Sequence, residues 1–373
     1  MLERRFGGSR SVRSPGRLSR MSFHALLCLA LAISLNVGSA ALGQTRLRVL
    51  GEVSLPSGLK IDGVEFGGLS GLDYDPATRR FLALSDDRVE RGPARLYEMT
   101  IEIDEQGISA LEVTRMVPLK RRDGAAYDRL AVDPEEVRRL PGGTIVWSDE
   151  TTPALIEATR EGLAVGHFEL PIYHVPRDGQ LVGIRSNLGH EALAITPDGN
   201  QLIAITESAL AQDGPNPTLA SGAFARLLVF DVPTRRTIAE FVYAVEGIPV
   251  ASTHPQPFQD NGVTSALYLN DGRLLVLERS FARGVGTTIQ IFEVKLAGAT
   301  NVLGRETLQG AKFTPVAKSP VMTLSAIRHS YDVDNIEGMA LGPSVAGKPT
   351  IVLVSDNNFS RHQRSQFIVL QVD

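Results

Sequence analysis

The sequence predicts an all-β protein folded as a β-propeller, and three observations carry that reading. A short hairpin, two apolar strands joined by a turn and closing on an acid, recurs five times. One or two further strands follow each copy, so four-stranded units repeat at about 55–75 residues, a spacing expected of propeller blades. Beyond residue 43 the chain shows no long amphipathic helical pattern. A β-sandwich is the competing all-β architecture, and the repeat argues against it.

The chain opens with a leader. Residues 1–24 carry six arginines against one acid, Glu3, and an apolar run from Ala25 to Leu42 follows. A basic start, an apolar middle and small residues at Ala41-Leu42-Gly43 read as a secretory signal spanning 1–43, cut near Gln44. An uncleaved anchor is the alternative, because about 18 apolar residues approach the spanning length. The whole chain has 373 residues, 38 basic and 42 acidic, for a net charge of -4. Six of the basic residues and one acid lie in 1–43, so the propeller segment 44–373 has 32 and 41 and a net charge of -9. That balance gives no support for nucleic-acid binding. No later segment is long and apolar enough to insert stably in a membrane. The single cysteine, Cys28, lies in the leader, which excludes a disulfide scaffold or a multi-cysteine metal site.

The first hairpin runs Gly71–Asp75, a turn at Pro76–Arg79, then Arg80–Asp86. The second joins Asp133-Pro134-Glu135 through Pro141-Gly142-Gly143 to Ile145–Glu150. The third is Glu191–Ile195, Thr196-Pro197-Asp198-Gly199, then Leu202–Glu207. The fourth is Thr264–Leu269, Asn270-Asp271-Gly272, then Leu274–Glu278; the fifth is Glu337–Leu341, a longer turn through Gly347, then Ile351–Asp356. Asp-Gly between apolar runs signals a hairpin because Gly supplies the positive φ of the tight turn. Third strands are expected at Arg95–Ile103, Arg226–Val232, Thr288–Val294 and Ser365–Val372, and a fourth at Ile238–Val245. Five four-stranded blades can be counted; a sixth with a degraded motif is the alternative. The last unit shows three strands, so Leu47–Leu55 is expected to supply its fourth and close the ring, removing an exposed edge. Residues 209–222, 246–262 and 297–334, rich in Pro, Gly and polar residues, read as rim loops.

The two ends of an antiparallel hairpin lie together, so the acids at those ends should converge at one mouth of the channel. Like charges within about 4–6 Å raise one another's pKa, and such a ring needs a hard cation or arginine to neutralise it. The candidate metal ligands are Glu135, Glu150, Glu191, Glu207, Glu278, Glu337, Asp356 and Asn357, with Asn335 and Asn358 as further neutral oxygens and calcium as the expected ion. Arg279 is the candidate internal counterion. Among other constellations, His190 is read as a rim residue beside Glu191. His329 and His362 flank the fifth motif, and Arg283, Arg328 and Arg361 could meet an anionic substrate. Neither a Gly-x-Ser-x-Gly elbow, a Walker loop nor a His-Glu-x-x-His motif is present.

Several of these motifs carry a family resemblance. Gly68-Leu69-Ser70-Gly71-Leu72 with Ser85-Asp86, Asp133-Pro134-Glu135, Asn187-x-Gly189-x-Glu191, Leu275–Arg279, and Asn335–Met339 with Ser355–Phe359 resemble, in the same order, the bacterial phytase-like family described as having esterase-like activity of phytase. The resemblance covers roughly residues 60–372. Glu136 and Ala192 stand where the family pattern has Gly. The resemblance implies an exported propeller that hydrolyses phosphoesters or carboxylic esters. Calcium-dependent propeller phytases, its distant relatives, use a carboxylate-rich mouth with calcium ions.

The expectation is therefore a secreted or periplasmic metal-dependent hydrolase of a small-molecule ester or phosphoester. Glu191 and Glu337 are the expected base or ligands, and Arg279 the group that stabilises developing negative charge. Two alternatives stand beside it. One is a non-catalytic propeller binding a ligand or protein partner, its acids holding a structural calcium or a salt-bridge ring; the other is a lactonase-type enzyme.

Overall fold

In the computed structural model the described residues, 45–325 and 332–373, build five blades around a channel. Strand β1 (Leu47–Leu55) comes first, followed by a small hairpin of β2 (Lys60–Ile61) and β3 (Val64–Glu65). Blade 1 is β4 (Leu69–Asp75), β5 (Arg80–Ser85), β6 (Arg95–Asp104) and β7 (Gly107–Pro118). Blade 2 is β8 (Pro134–Arg139), β9 (Ile145–Asp149), β10 (Ala154–Ala158) and β11 (Ala164–Phe168). Blade 3 is β12 (His190–Ile195), β13 (Gln201–Ala209), β14 (Ala223–Asp231) and β15 (Arg236–Val245). Blade 4 is β16 (Gln259–Tyr268), β17 (Leu274–Ala282), β18 (Gly286–Lys295) and β19 (Ala317–Ser325). Blade 5 is β20 (Asn335–Val345), β21 (Lys348–Asp356) and β22 (Ser365–Val372), completed by β1.

The blade count is thus five, and no sixth blade occurs among the described residues. β1 pairs antiparallel with β22 from Leu47↔Val372 to Leu55↔Ser365, so the ring closes as expected. Two readings need correction. Residues 297–334 include β19, the outer strand of blade 4, and residues 246–262 include the first residues of β16. Both strands begin in polar sequence, Ala317-Lys318-Ser319-Pro320 and Gln259-Asp260-Asn261-Gly262, where the apolar periodicity is too weak to mark a strand. Residues 1–43, Arg328 and His329 lie outside the described residues. No helix among the described residues is long and apolar enough to cross a membrane.

The core lies between blades. Five apolar clusters correspond to the five blade interfaces. Trp147 and Leu84 belong to the one between blades 1 and 2, and Phe168 and Phe230 to the next. Tyr243 and Val276 join blades 3 and 4, Leu277 and Ile351 blades 4 and 5, and Phe81 and Val354 blades 5 and 1. Each blade needs both neighbours to bury its two faces, and this is why the ring must close.

The five inner strands are neighbours in turn around the channel. Each carries a β-bulge near its start: Leu69/Gly71, Pro134/Val137, His190/Ala192, Val263/Ser265 and Ile336/Gly338. The bulged residues are Ser70, the pair Glu135-Glu136, Glu191, Thr264 and Glu337. A bulge re-aims a side chain and is common beside functional sites. In blades 2, 3 and 5 it falls on acids that the hairpin pattern singled out, Glu135, Glu191 and Glu337.

Candidate functional site: a carboxylate ring at the channel mouth

Register places one more residue per blade at the same level. Asp86, Glu150, Glu207, Arg279 and Asp356 each follow the second-strand residue that pairs just before the bulge: Ser85, Asp149, Thr206, Glu278 and Ser355. Four blades put an acid there, and blade 4 puts arginine. Asp133, immediately before β8, joins the group. Its carboxylate accepts from Arg88 Nε at 2.9 Å.

The result is an open cavity of about 1600 Å³, lined by Asp86, Asp133, Glu135, Glu191, Glu207, Asp260, Glu337 and Asp356 together with Arg279. Asp86, Glu337 and Asp356 bring carboxylate oxygens within 4.8 Å of one another, as do Asp133, Glu135 and Glu150. On the other side Arg279 faces Asp260 at 3.3 Å, Glu337 at 3.4 Å and Glu207 at 3.8 Å. Asn335 Nδ2 donates to Glu337 Oε1 at 2.8 Å.

Burial and mutual repulsion hold protons on this ring. Burial, then Glu191, Asp133 and Glu150, push the Glu135 carboxyl well above the usual range. Burial, then Glu150, Glu207 and Glu337, do the same to Glu191. Asp86 is raised by burial, Asp356 and Glu337, and Asp356 by burial and Glu337. Burial takes Asp133 to about 6, Glu150 to about 7 and Glu207 to about 8, Glu207 despite the opposing pull of Arg279.

The sequence-derived set is thus brought together for Glu135, Glu150, Glu191, Glu207, Glu337, Asp356 and Arg279. Two expected ligands do not join them. Glu278 is one residue out of phase with the ring. It lies buried between blades 3 and 4, holding Lys318 Nζ at 2.7 Å, Tyr243 Oη at 2.7 Å and Asn261 Nδ2 at 2.9 Å. Asn357 gives its side-chain oxygen to the N–H groups of Gly68 and Phe359, at 3.1 and 3.0 Å. Asp86, Asp133 and Asp260 were not among the expected ligands. Asp86 has the same register as Glu150 and Glu207, a signal that the sequence carried.

His190 is not a rim residue. It is buried behind the ring, stacked on His174 at 5.4 Å, and neither ring nitrogen has a partner within the described residues. His362 and Arg361 line the cavity, whereas Arg283 stacks over Phe258 at 5.9 Å.

Below the ring lies a plug that the sequence reading missed. Glu136, the second bulged residue of blade 2, forms a buried pair with Arg138: Nη1 reaches Oε1 at 2.8 Å and Nη2 reaches Oε2 at 3.0 Å. Arg138 also donates to the carbonyls of Leu72, Ala266 and Met339, on the inner strands of blades 1, 4 and 5. Ser265 Oγ donates to Glu136 at 2.6 Å. Inner strands have one unpaired edge, and this guanidinium satisfies three of those edges at once. Glu136 therefore has a structural reason to replace glycine.

The donor set fits a hard cation. All of it is oxygen, it is mostly buried, and the two arginines that pair with it, Arg279 and Arg88, are too few to balance seven ring carboxylates and Asp133. Oxygen-only donors and shared carboxylates suit calcium better than zinc.

A five-bladed propeller whose mouth is ringed by buried acids is the class defined by fold and site. Residues 64–359 match the phytase-like family, described as "Esterase-like activity of phytase", and the chain belongs to that family. No functionally curated protein matches the sequence. Among solved structures it is similar to a Kuenenia stuttgartiensis hydrazine synthase, at 13% identity and TM-score 0.37, covering 81% of this chain and 79% of that one. It is also similar to the β-propeller domain of Myceliophteria thermophila Cps50 (Swd1), at 12% identity and TM-score 0.38, covering 88% of this chain and 100% of that one.

Proposed function

We propose that the protein is a metal-dependent hydrolase of phosphoesters or related esters, with calcium as its ion and export through a cleaved leader. One observation carries the reading: two groups of three carboxylates, each within 4.8 Å, meet at one open cavity that Arg279 also lines, all of them but Glu150 on its wall. Asp86, Glu337 and Asp356 would hold one cation, and Asp133, Glu135 and Glu150 a second. Bound there, calcium would polarise the ester oxygen and acidify a water. Glu191 lies between Glu150 and Glu207 in the ring and, once bound cations favour its ionised form, would take up the proton of the attacking water. Arg279 lines the cavity and would stabilise the negative charge that develops in ester hydrolysis. Glu337 and Asp260 hold that guanidinium in place. Cleavage near Gln44 would leave β1, and with it the closed ring, intact.

The test begins with the melting temperature of residues 44–373 in calcium and in chelator. A ligand that binds only the folded state stabilises by about 2.7 kcal/mol at a hundred times its dissociation constant. An upward shift with calcium, followed by turnover in a phosphoester and ester screen that Glu191→Ala abolishes without loss of fold, is the expected result. No shift with any divalent cation would point instead to a binding propeller neutralised by arginine. Full activity in Glu191→Ala would remove the assigned base.

A further inference from the structure

A second chamber opens beside the ring. It has a volume of about 390 Å³ and is walled by Leu130, Pro153, Pro176 and Ile184, with Glu150 at its inner side. Arg88 and Asn187 line both this chamber and the main cavity. The carboxyl of Glu150 thus closes the side chamber, while its cluster partners Asp133 and Glu135 line the main one. Thr151, Arg185 and Ser186 complete the wall, so four apolar side chains share a small chamber with ionic and polar groups, the form of a small-molecule subsite.

Backbone strain gives a second, independent observation. Leu130 has φ +61° and Asn187 φ +58°, and Val89, next to Arg88, has φ +60°. A bulky or β-branched residue rarely adopts that conformation, and such outliers gather at ligand sites. Leu130 is also 46% exposed at the chamber edge, and its N–H is fixed by the Arg88 carbonyl at 2.8 Å. The strain thus lies on two segments joined by that hydrogen bond, which sets an apolar side chain and a guanidinium together at the boundary between the two cavities.

We infer that this chamber is the seat of the substrate's organic group, and that the substrate is an anionic ester with an apolar part of a few carbons. The anionic end lies at the carboxylate ring beside Arg88, and the apolar end reaches between Leu130, Pro153, Pro176 and Ile184. This rests on the hydrolase reading above, and binding separates the two.

The probes are methyl-, propyl- and pentylphosphonate, which are not hydrolysed, titrated calorimetrically into residues 44–373 with calcium present. Affinity should rise about threefold to fourfold per methylene, the effect of burying one. Leu130→Gly removes the apolar wall and relieves the backbone; Thr151→Trp fills the chamber from its exposed edge. Both variants should flatten the chain-length dependence, and Thr151→Trp, which leaves the Leu130–Arg88 contact alone, should keep methylphosphonate affinity unchanged. Methylphosphonate binding with no chain-length dependence, or with a dependence that both variants retain, would overturn the subsite alone. No binding of any phosphonate would overturn the subsite and the anionic-ester reading together.

Discussion

Arg279 occupies the position at which the other four blades carry an acid, and its three carboxylate neighbours come from blades 3, 4 and 5. Those neighbours raise its proton affinity more than burial lowers it, so it stays charged. It therefore serves as a resident cation for one half of the ring. Arg279→Gln should lower the stability of the chelator-treated protein and enlarge the rise in melting temperature on adding calcium. An equal rise in both proteins would show that the arginine does not neutralise the ring. Arg138 makes a separate case deeper in the channel. Arg138→Leu leaves a buried, unpaired Glu136, a loss of about 3–5 kcal/mol. The double variant Glu136→Leu/Arg138→Leu should regain less than half of it, because three inner-strand carbonyls still lack their donor. Full recovery in urea unfolding would mean that only the charge pair matters. The sequence made Arg279 legible through its place after Leu275-Val276-Leu277-Glu278, but that same run misplaced Glu278. Alternation along a strand sends neighbours to opposite faces, and only the bulge register shows which one meets the channel.

At the scale of the element, hairpin turns and strand-end acids were readable because their signals are local. Asp198 Oδ1 takes Thr196 Oγ1 at 2.6 Å and the Asn200 N–H at 3.1 Å, and Gly199 follows at φ +72°. The outer strand β19 was not readable, since its sides are half exposed and its sequence contains Pro320. Nor were the bulges, which are register shifts between a blade's first two strands, or the contacts between blades. One such contact positions Glu150. A Cβ added to Gly189 would lie 2.8 Å from Glu150 Cγ, and the Gly189 N–H donates to Glu150 Oε1. The glycine of blade 3 is thus a stop for the acid of blade 2. Gly189→Ala should displace that carboxylate, cost about 1–3 kcal/mol of stability as overpacking, and weaken calcium binding at least tenfold. Calcium titration by calorimetry checks it; unchanged affinity would show that Glu150 is not held by this contact or is not a ligand.

Taken as a whole, the molecule concentrates repulsion at its centre and apolar packing between its blades, so the ring's charge should register in global stability. The sign follows from where protons are held. Glu150 and Glu207 keep theirs to about 7 and about 8, and Glu135, Glu191, Asp86 and Asp356 well above the carboxylate range. An unfolded chain releases the same protons near pH 4. Between these values the folded state binds more protons than the unfolded one, so stability falls as pH rises. His190 works in the opposite direction: burial keeps it neutral in the fold, and unfolding lets it protonate only below about 6.5. The informative window is therefore pH 6.5–8.5, where the histidine is silent. In chelator, urea unfolding should show stability declining across that window by up to about 1.4 kcal/mol per pH unit for each carboxyl that still holds its proton. Calcium should flatten the decline, because a bound cation favours the ionised ring that the fold otherwise resists. Metal-free stability that stays level or rises from pH 6.5 to 8.5 would mean that the acids are neutralised within the fold, and that the mouth has no charge deficit for a cation to fill.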